Sequence, residues 1–333
     1  MRGTQVIEQP VHLEGITDRL VNEATGFMSE QNAQQKPFLL VLNFIKVHTA
    51  HFPNKHFKGK SGFGKYGDCV LEMDDGIGKI LDYLREYNLR DNTFVYFSSD
   101  NGGHLEEVGA DGVAEGGSNG IYKGGKGHGA MEGGIRVPTA VMWPNKIPPQ
   151  AVISVPTSQM DVFSTVHEIL RIPEPNDRII DGKSMLSLLL KPKSTPSAHQ
   201  FLFHYCGTYL HGVRYVESAD NIWKLYFSKP KYKPGQYKCQ FMCMCFGAHV
   251  VHYNPPLLYN IASDPGENIS IDINSDIKYQ RIVDKISEEV KNHKQSVASV
   301  PSQFDFENTI WRPWLQPCCQ FPTCSCSENQ VKK

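Results

Sequence analysis

PFLLVLNFIKVHT, residues 37–49, holds an almost unbroken apolar run, Pro37–Ile45, before it turns polar at Lys46. An apolar run this short suits a strand buried on both faces of a parallel sheet. Downstream, Val70, Met73, Ile77, Ile80, Leu81 and Leu84 recur at threes and fours, which predicts an amphipathic helix over about 67–87. Thr93–Ser98 (TFVYFS) predicts a second strand. Strand, helix, strand in this order predicts a β–α–β unit with a parallel pair, and so an α/β fold. Upstream, residues 11–36 are polar, with Leu20, Val21, Ala24 and Phe27 at helical spacing.

Further along, residues 101–134 form a long Gly-rich stretch, which in a compact domain is usually functional or disordered. Residues 135–143 return to strand character although Pro138 interrupts them, and Met160–Leu170 reads as a helix. The apolar run Met185–Leu190 precedes Lys191–Ser197 (KPKSTPS), which has the composition of a boundary. Beyond it come short aromatic strands at 201–205, 213–216 and 222–227, then Leu257–Ile261 and a polar helix near 276–293. The expected organisation is a core over 1–195 and a smaller subdomain with antiparallel strands over 196–333.

Charge and composition exclude several classes. The 34 Lys+Arg against 35 Asp+Glu leave a net charge of −1, without the basic excess of a nucleic-acid binder. Hydrophobic residues at 40% and charged residues at 21% are an ordinary globular mix, which argues against wholesale disorder. No apolar run reaches the ~18 residues of a membrane span. Eight of the nine cysteines lie after residue 200, clustered at Cys239, Cys243, Cys245 and at Cys318, Cys319, Cys324, Cys326. Such crowding means either disulfides or zinc, and the vicinal pair followed by C-x-C fits a structural zinc site poorly. Disulfides imply an oxidising compartment, yet MRGTQVIEQP has no apolar signal-peptide core. The two agree if Met1 is not the natural beginning and the chain is a C-terminal portion of a secretory protein.

The residues that can carry chemistry sit where strands end, the place where open α/β sheets bind ligands. Lys46-Val47-His48-Thr49 follows the first strand, and Asp100-Asn101-Gly102-Gly103-His104 follows the second. Asp100 and Asn101 offer a carboxylate and an amide oxygen, hard donors suited to Ca²⁺ or Mg²⁺, although Asn-Gly is also a plain turn signal. His48 reads either as a functional imidazole or as a hydrogen-bonded strand cap. Gly120-x4-Gly125-Lys126 imitates a P-loop, but Gly127 stands where Ser or Thr is required and no apolar strand precedes it. What remains is Lys126 on a glycine-rich backbone, either a point charge for an anionic oxygen or an incidental lysine in a solvent loop.

Taken together, these segments resemble the sulfatases, specifically the arylsulfatase and steryl-sulfatase group of the alkaline phosphatase superfamily. The resemblance rests on PFLLVLNFIKVHTAHF (37–52), Tyr66-Gly67-Asp68 with Glu72-Met73-Asp74, VYFSSDNGGH (95–104), GGSNGIYKGGKGHGAMEGGIRVP (116–138), PTSQMDVFST (156–165), FLFHYC (201–206) and PPLLYNIASDP (255–265). It implies part of a mixed, mostly parallel sheet flanked by helices, plus a disulfide-rich C-terminal subdomain. By resemblance, Asp100 and Asn101 ligate a calcium ion, His48 stands at the sulfate and its bridging ester oxygen, and Lys126 holds the sulfate. A cation, a lysine and a histidine around a sulfate monoester supply electrostatic stabilisation and proton transfer as the S–O bond breaks. The substrate implied is a small aryl or steroid sulfate ester. The resemblance also implies the pairs Cys206–Cys245, Cys239–Cys243, Cys318–Cys324 and Cys319–Cys326, with Cys69 left as a buried free thiol. Asn268-Ile269-Ser270 is an N-glycosylation acceptor sequence, in keeping with the lumen of the endoplasmic reticulum, Golgi or lysosome.

The departure is the nucleophile. Sulfatases use a formylglycine made from the cysteine of C-x-P-x-R, and none of the nine cysteines here has that context. Asp74-Asp75 is not the family's paired metal ligand; its place on an amphipathic helix makes it a solvated face. The expected function is sulfuric ester hydrolysis with this chain inactive alone. The competing readings are a non-catalytic truncated isoform that acts by interaction and a phosphoesterase relative with a Ser or Thr nucleophile.

Overall fold

A computed structural model describes residues 1–315 except 4, 111, 240, 241, 304, 313 and 314. The chain divides into two compact units, one of Met1–Gly78 with the stretch from Lys291 onward, the other of Lys79–Val290.

In the first unit, helix α1 (Ile16–Ala33) buries Thr17, Val21, Ala24 and Met28, one face at spacings of three and four. Helix α2 (Gly64–Glu86) approaches it closely at Gly76, where a Cβ would stand 3.1 Å from Thr17 Cγ2 and 3.2 Å from Val21 Cγ2. Cys69 is a buried free thiol on α2, and Asp74 and Asp75 are exposed. Residues 37–45 are extended but form no strand. The expected β–α–β unit is therefore not made: a strand needs a hydrogen-bonded neighbour, and this run has no ladder partner among the described residues. Its side chains alternate in exposure all the same, with Leu39 68% and Val41 73% exposed.

In the second unit every strand pairing among the described residues is antiparallel. Strand β1 (Val95–Ser98), expected to join a parallel pair, instead lies beside β2 (Thr139–Met142), with Val95 opposite Met142. Between them falls the short helix α3 (Glu132–Ile135); α4 (Asp161–Leu170) and α5 (Leu186–Leu190) follow. The C-terminal sheet is a meander of β3 (Phe201–Cys206), β4 (Tyr209–Val216), β5 (Ile222–Pro230) and β6 (Val250–Asn260). Pro255 and Pro256 are tolerated because β6 is an edge strand.

Strand β5 is buried on both faces, and its period-two alternation sorts two cores. Trp223 and Leu225 pack with Val213, Leu258 and with Ile282, Ile286 and Val290 of helix α6 (Ile277–Ser296). Ile222 and Tyr226 pack with Tyr259, Ile261 and with Ala130 and Met131 of the Gly-rich segment. Each buried Leu or Ile contributes about 1.5–3 kcal/mol, so the Gly-rich segment is held as one layer of a core. Among the described residues no helix is long and apolar enough to cross a membrane.

Candidate functional site

Asp100 and Asn101 leave the end of β1 where the chain stops pairing with β2. The Asn101 N–H donates to Asp100 Oδ1 (2.8 Å), and Asn101 Nδ2 donates to Gly102 O (2.8 Å). The amide nitrogen is thus committed to protein, and Oδ1 is the acceptor that a cation would take. Gln159 Nε2 donates to the Ser99 carbonyl and Ser99 Oγ to Asn101 O (2.8 Å), which fixes the turn.

Two backbone bonds then fasten the Gly-rich segment to this turn. Gly102 N–H donates to Gly134 O (3.0 Å), and Lys126 N–H donates to Gly103 O (3.0 Å). The Asn119 side chain clamps both pieces: Oδ1 accepts from Gly103 N (2.7 Å) and Nδ2 donates to Gly124 O (2.8 Å). Asn119 was not legible as functional, since Ser-Asn-Gly reads as a turn. The contact is close enough to require glycine. A Cβ at Gly102 would lie 1.8 Å from Gly133 O, and one at Gly133 would lie 2.1 Å from Gly124 O. Lys126 is therefore presented from a packed backbone and half-buried; Asp100 is exposed and Asn101 half-buried.

Below this layer lies a buried charge network that sequence reading missed. Glu132 accepts from both Arg214 on β4 and Lys224 on β5. Lys224 also stands 3.5 Å from Glu267 Oε1, and Lys123 Nζ donates to the Glu267 carbonyl (2.7 Å). The Tyr226 hydroxyl lies between the Glu267 carboxylate and Ala130 O, 3.0 Å away. Burial alone would raise the Glu132 pKa, but Arg214 and Lys224 together outweigh it and hold the carboxyl well below its ordinary range. Burial, reinforced by the same two cations, holds His204 neutral. Burial lowers Lys229 to about 8, only partly offset by Glu267. The only sequence signal was Lys224 inside an aromatic strand, a charge with no reason to be there unless paired.

His48 belongs to the first unit. It is exposed, its N–H donates to Ile45 O (3.2 Å), and its Nδ1 lies 2.6 Å from Thr49 O. The turn that carries it is pinned by a buried ion pair, Lys46 Nζ to Glu72 Oε1 at 2.5 Å, with Glu72 Oε2 also accepting from Asn54 N (2.7 Å). Asp68 is held below its usual pKa chiefly by the Ser61 and Gly59 N–H groups.

Four of the five cysteines before residue 300 are paired: Cys206–Cys245 and Cys239–Cys243 are disulfides, and Cys69 is the free thiol. Cys318, Cys319, Cys324 and Cys326 lie outside the described residues. Asn268 is exposed, with Nδ2 donating to Asp264 Oδ1 (3.0 Å).

Two regions of the chain match known families. The sulfatase family matches residues 5–172, and the C-terminal region of aryl-sulfatase matches 197–326. The chain is 44% identical to steryl-sulfatase of Homo sapiens, with 100% of this chain and 57% of that protein aligned. It is 43% identical to arylsulfatase D of Homo sapiens, over 99% of this chain and 56% of the relative. It thus spans little more than half the length of these relatives. A crystal structure of a sulfatase from Pseudoalteromonas sp. shares the fold, with a TM-score of 0.74 at 22% identity over 87% of this chain and 55% of that one. By sequence over both matched regions, this chain belongs to the sulfatase family.

Proposed function

We propose that this chain carries the sulfate-holding part of an arylsulfatase-type sulfuric ester hydrolase and has no turnover by itself. The observation that carries the reading is the Lys126–Gly103 backbone bond, which ties the Lys126 main chain to the turn that begins with Asp100 and Asn101. Lys126 is the point charge for a sulfate oxygen. His48, exposed on a braced turn, is the proton donor to the leaving ester oxygen. Asp100 and Asn101 suit a divalent cation by donor type, since both offer hard oxygens. Two ligands fall short of the roughly six to eight that calcium takes, so further donors must complete the site. Such a cation, when bound, neutralises charge on the sulfate oxygens. No step is assigned to a nucleophile, because no C-x-P-x-R occurs in these 333 residues.

The named relatives point to an aryl or steroid sulfate as substrate. In a protein that also carries the C-x-P-x-R segment, Lys126→Ala and Asp100→Ala should each lower kcat/KM for an aryl sulfate by about 10²–10³, while the present chain alone shows none. Wild-type activity in either variant refutes the site, and turnover by the chain alone refutes the missing-nucleophile argument. The missing motif also favours a second reading, a non-catalytic interaction protein; a monodisperse, cooperatively melting monomer would support it. The two disulfides and the exposed Asn268 favour a secretory lumen. A glycosidase-sensitive mass on Asn268 after secretory expression checks this, and unmodified protein with free thiols at the paired positions counts against it.

A further inference from the structure

Residues 51–66, rich in Lys, Gly and Phe, take no part in the proposed chemistry. From Val47 to Gly67 the sequence holds no Asp, Glu or Arg, but it holds Lys55, Lys58, Lys60 and Lys65. All four lysines are exposed, and so is His56. Among the described residues none of the four is in an ion pair. A cluster of cations with no anion among them attracts polyanions.

Backbone bonds hold this loop in one shape. The Phe57 and Lys58 N–H groups both donate to Asn54 O (2.8 and 3.2 Å), and Lys60 N–H donates to Phe57 O (3.0 Å). Two carboxylates of α2 grip it from within. Asp68 accepts from Gly59 N (2.8 Å) and Ser61 N (3.0 Å), and Glu72 accepts from Asn54 N (2.7 Å). Both acids are buried, whereas the lysines are exposed. The end of the loop closes onto the first turn of α2, where a Cβ at Gly67 would stand 2.6 Å from Phe63 Cβ. Phe63 is nevertheless 84% exposed. No acidic residue lies in that first turn, so the positive end of the helix adds to the charge beside Phe63 and Lys65. A loop ordered beforehand binds without the entropy cost of being ordered by its ligand.

We infer that residues 54–65 form a docking surface for a sulfated polysaccharide, with Lys55, Lys58, Lys60 and Lys65 on its sulfate groups and Phe63 against a sugar ring. Lysine meets a sulfate oxygen as a point charge. The C–H face of a pyranose is weakly positive and stacks on the negative face of an aromatic ring. A nucleic acid fits less well: the loop has no Arg to read base edges, and the disulfides Cys206–Cys245 and Cys239–Cys243 belong to an oxidising compartment. A membrane fits less well too, since one exposed phenyl ring among four lysines lacks the apolar face that interfacial binding buries. Glu72 also pins the His48 turn through Lys46, so the docked glycan lies on the loop next to that turn. The surface is independent of the Lys126 reading, because docking needs neither nucleophile nor turnover.

The test is binding of a heparin-derived octasaccharide to the full chain, measured by calorimetry across a salt series. Lys58→Ser with Lys60→Ser should weaken binding at least about tenfold and flatten its salt dependence. Phe63→Ala should weaken it about threefold with the salt dependence unchanged. The chemically desulfated octasaccharide should not compete. On the unsubstituted chain, acylation of lysines by an N-hydroxysuccinimide ester, read by peptide mapping, should show Lys55, Lys58, Lys60 and Lys65 protected by the octasaccharide. Protection confined to other lysines overturns the assignment, as does unchanged affinity in the double variant or competition by the desulfated sugar. Equal or tighter binding of a DNA duplex, or of phosphatidylserine vesicles, at the same salt gives the surface to another partner and overturns it as well. Should a variant fail to fold, the protection map of the unsubstituted chain decides alone.

Discussion

Residues 37–45 and residues 102–134 reverse the usual relation between sequence and order. The first is the most strand-like stretch in the chain, yet it forms no ladder and leaves Leu39 and Val41 largely exposed. The second has almost no regular structure, yet its backbones pass so closely that several positions admit only glycine. Apolar pattern makes an element only when a partner surface is there to accept it. Conversely, glycine, usually a source of freedom, becomes rigid where contact at carbonyl distance and a buried charge network hold it.

The largest test of this contrast is Glu132. Glu132→Gln leaves Arg214 buried without its anion and Lys224 with only the more distant Glu267, and should cost about 3–5 kcal/mol in chemical denaturation. The advantage of the native residue should depend on pH. With its native pKa held below the ordinary 4.5, the contribution is full above that value and falls away as pH drops below it. A difference between the two proteins that stays flat from pH 7 to pH 3 would break the electrostatic account.

Next come the close contacts. Gly102→Ala and Gly133→Ala each force backbone apart and should cost about 1–3 kcal/mol. Gly127→Ala, with φ +78° but nothing within 4 Å of a new Cβ, should cost nearer 1 kcal/mol. Equal losses at all three, read from melts, would mean that conformation rather than packing orders the segment. The smallest effect is expected in the apolar run. Leu39→Lys with Val41→Glu should change stability by less than about 0.5 kcal/mol while lowering light scattering on concentration, because an exposed apolar edge promotes association. A loss above 2 kcal/mol would show that the run is already packed.

Sequence periodicity located most elements because they carry their own signal. Helix α2 was expected near 67–87 and spans Gly64–Glu86; the polar helix near 276–293 is α6, Ile277–Ser296. The aromatic strands at 201–205 and 222–227 lie in β3 and β5. Pairing direction was not legible, because a strand's sequence does not name its neighbour: β1 lies antiparallel to β2. At the site, Asp100, Asn101 and Lys126 stood out by residue type and position. The Asn119 clamp and the Glu132–Arg214–Lys224 network did not, since their partners are 16 and up to 92 residues away. Long-range polar pairs leave no local pattern.

That distance has a consequence for the order of synthesis. The bond from Lys123 Nζ to the Glu267 carbonyl closes a loop of 144 residues. On a ribosome adding ~5–20 residues per second, Glu267 emerges on the order of ten seconds after Lys123. For most of that interval the nascent Gly-rich segment lacks its charged partners Arg214 and Lys224, and until its end it lacks Glu267. Lys123 and the Gly-rich segment around it are therefore among the last parts of the second unit to become ordered, and a pause or early stop before residue 267 leaves them unset.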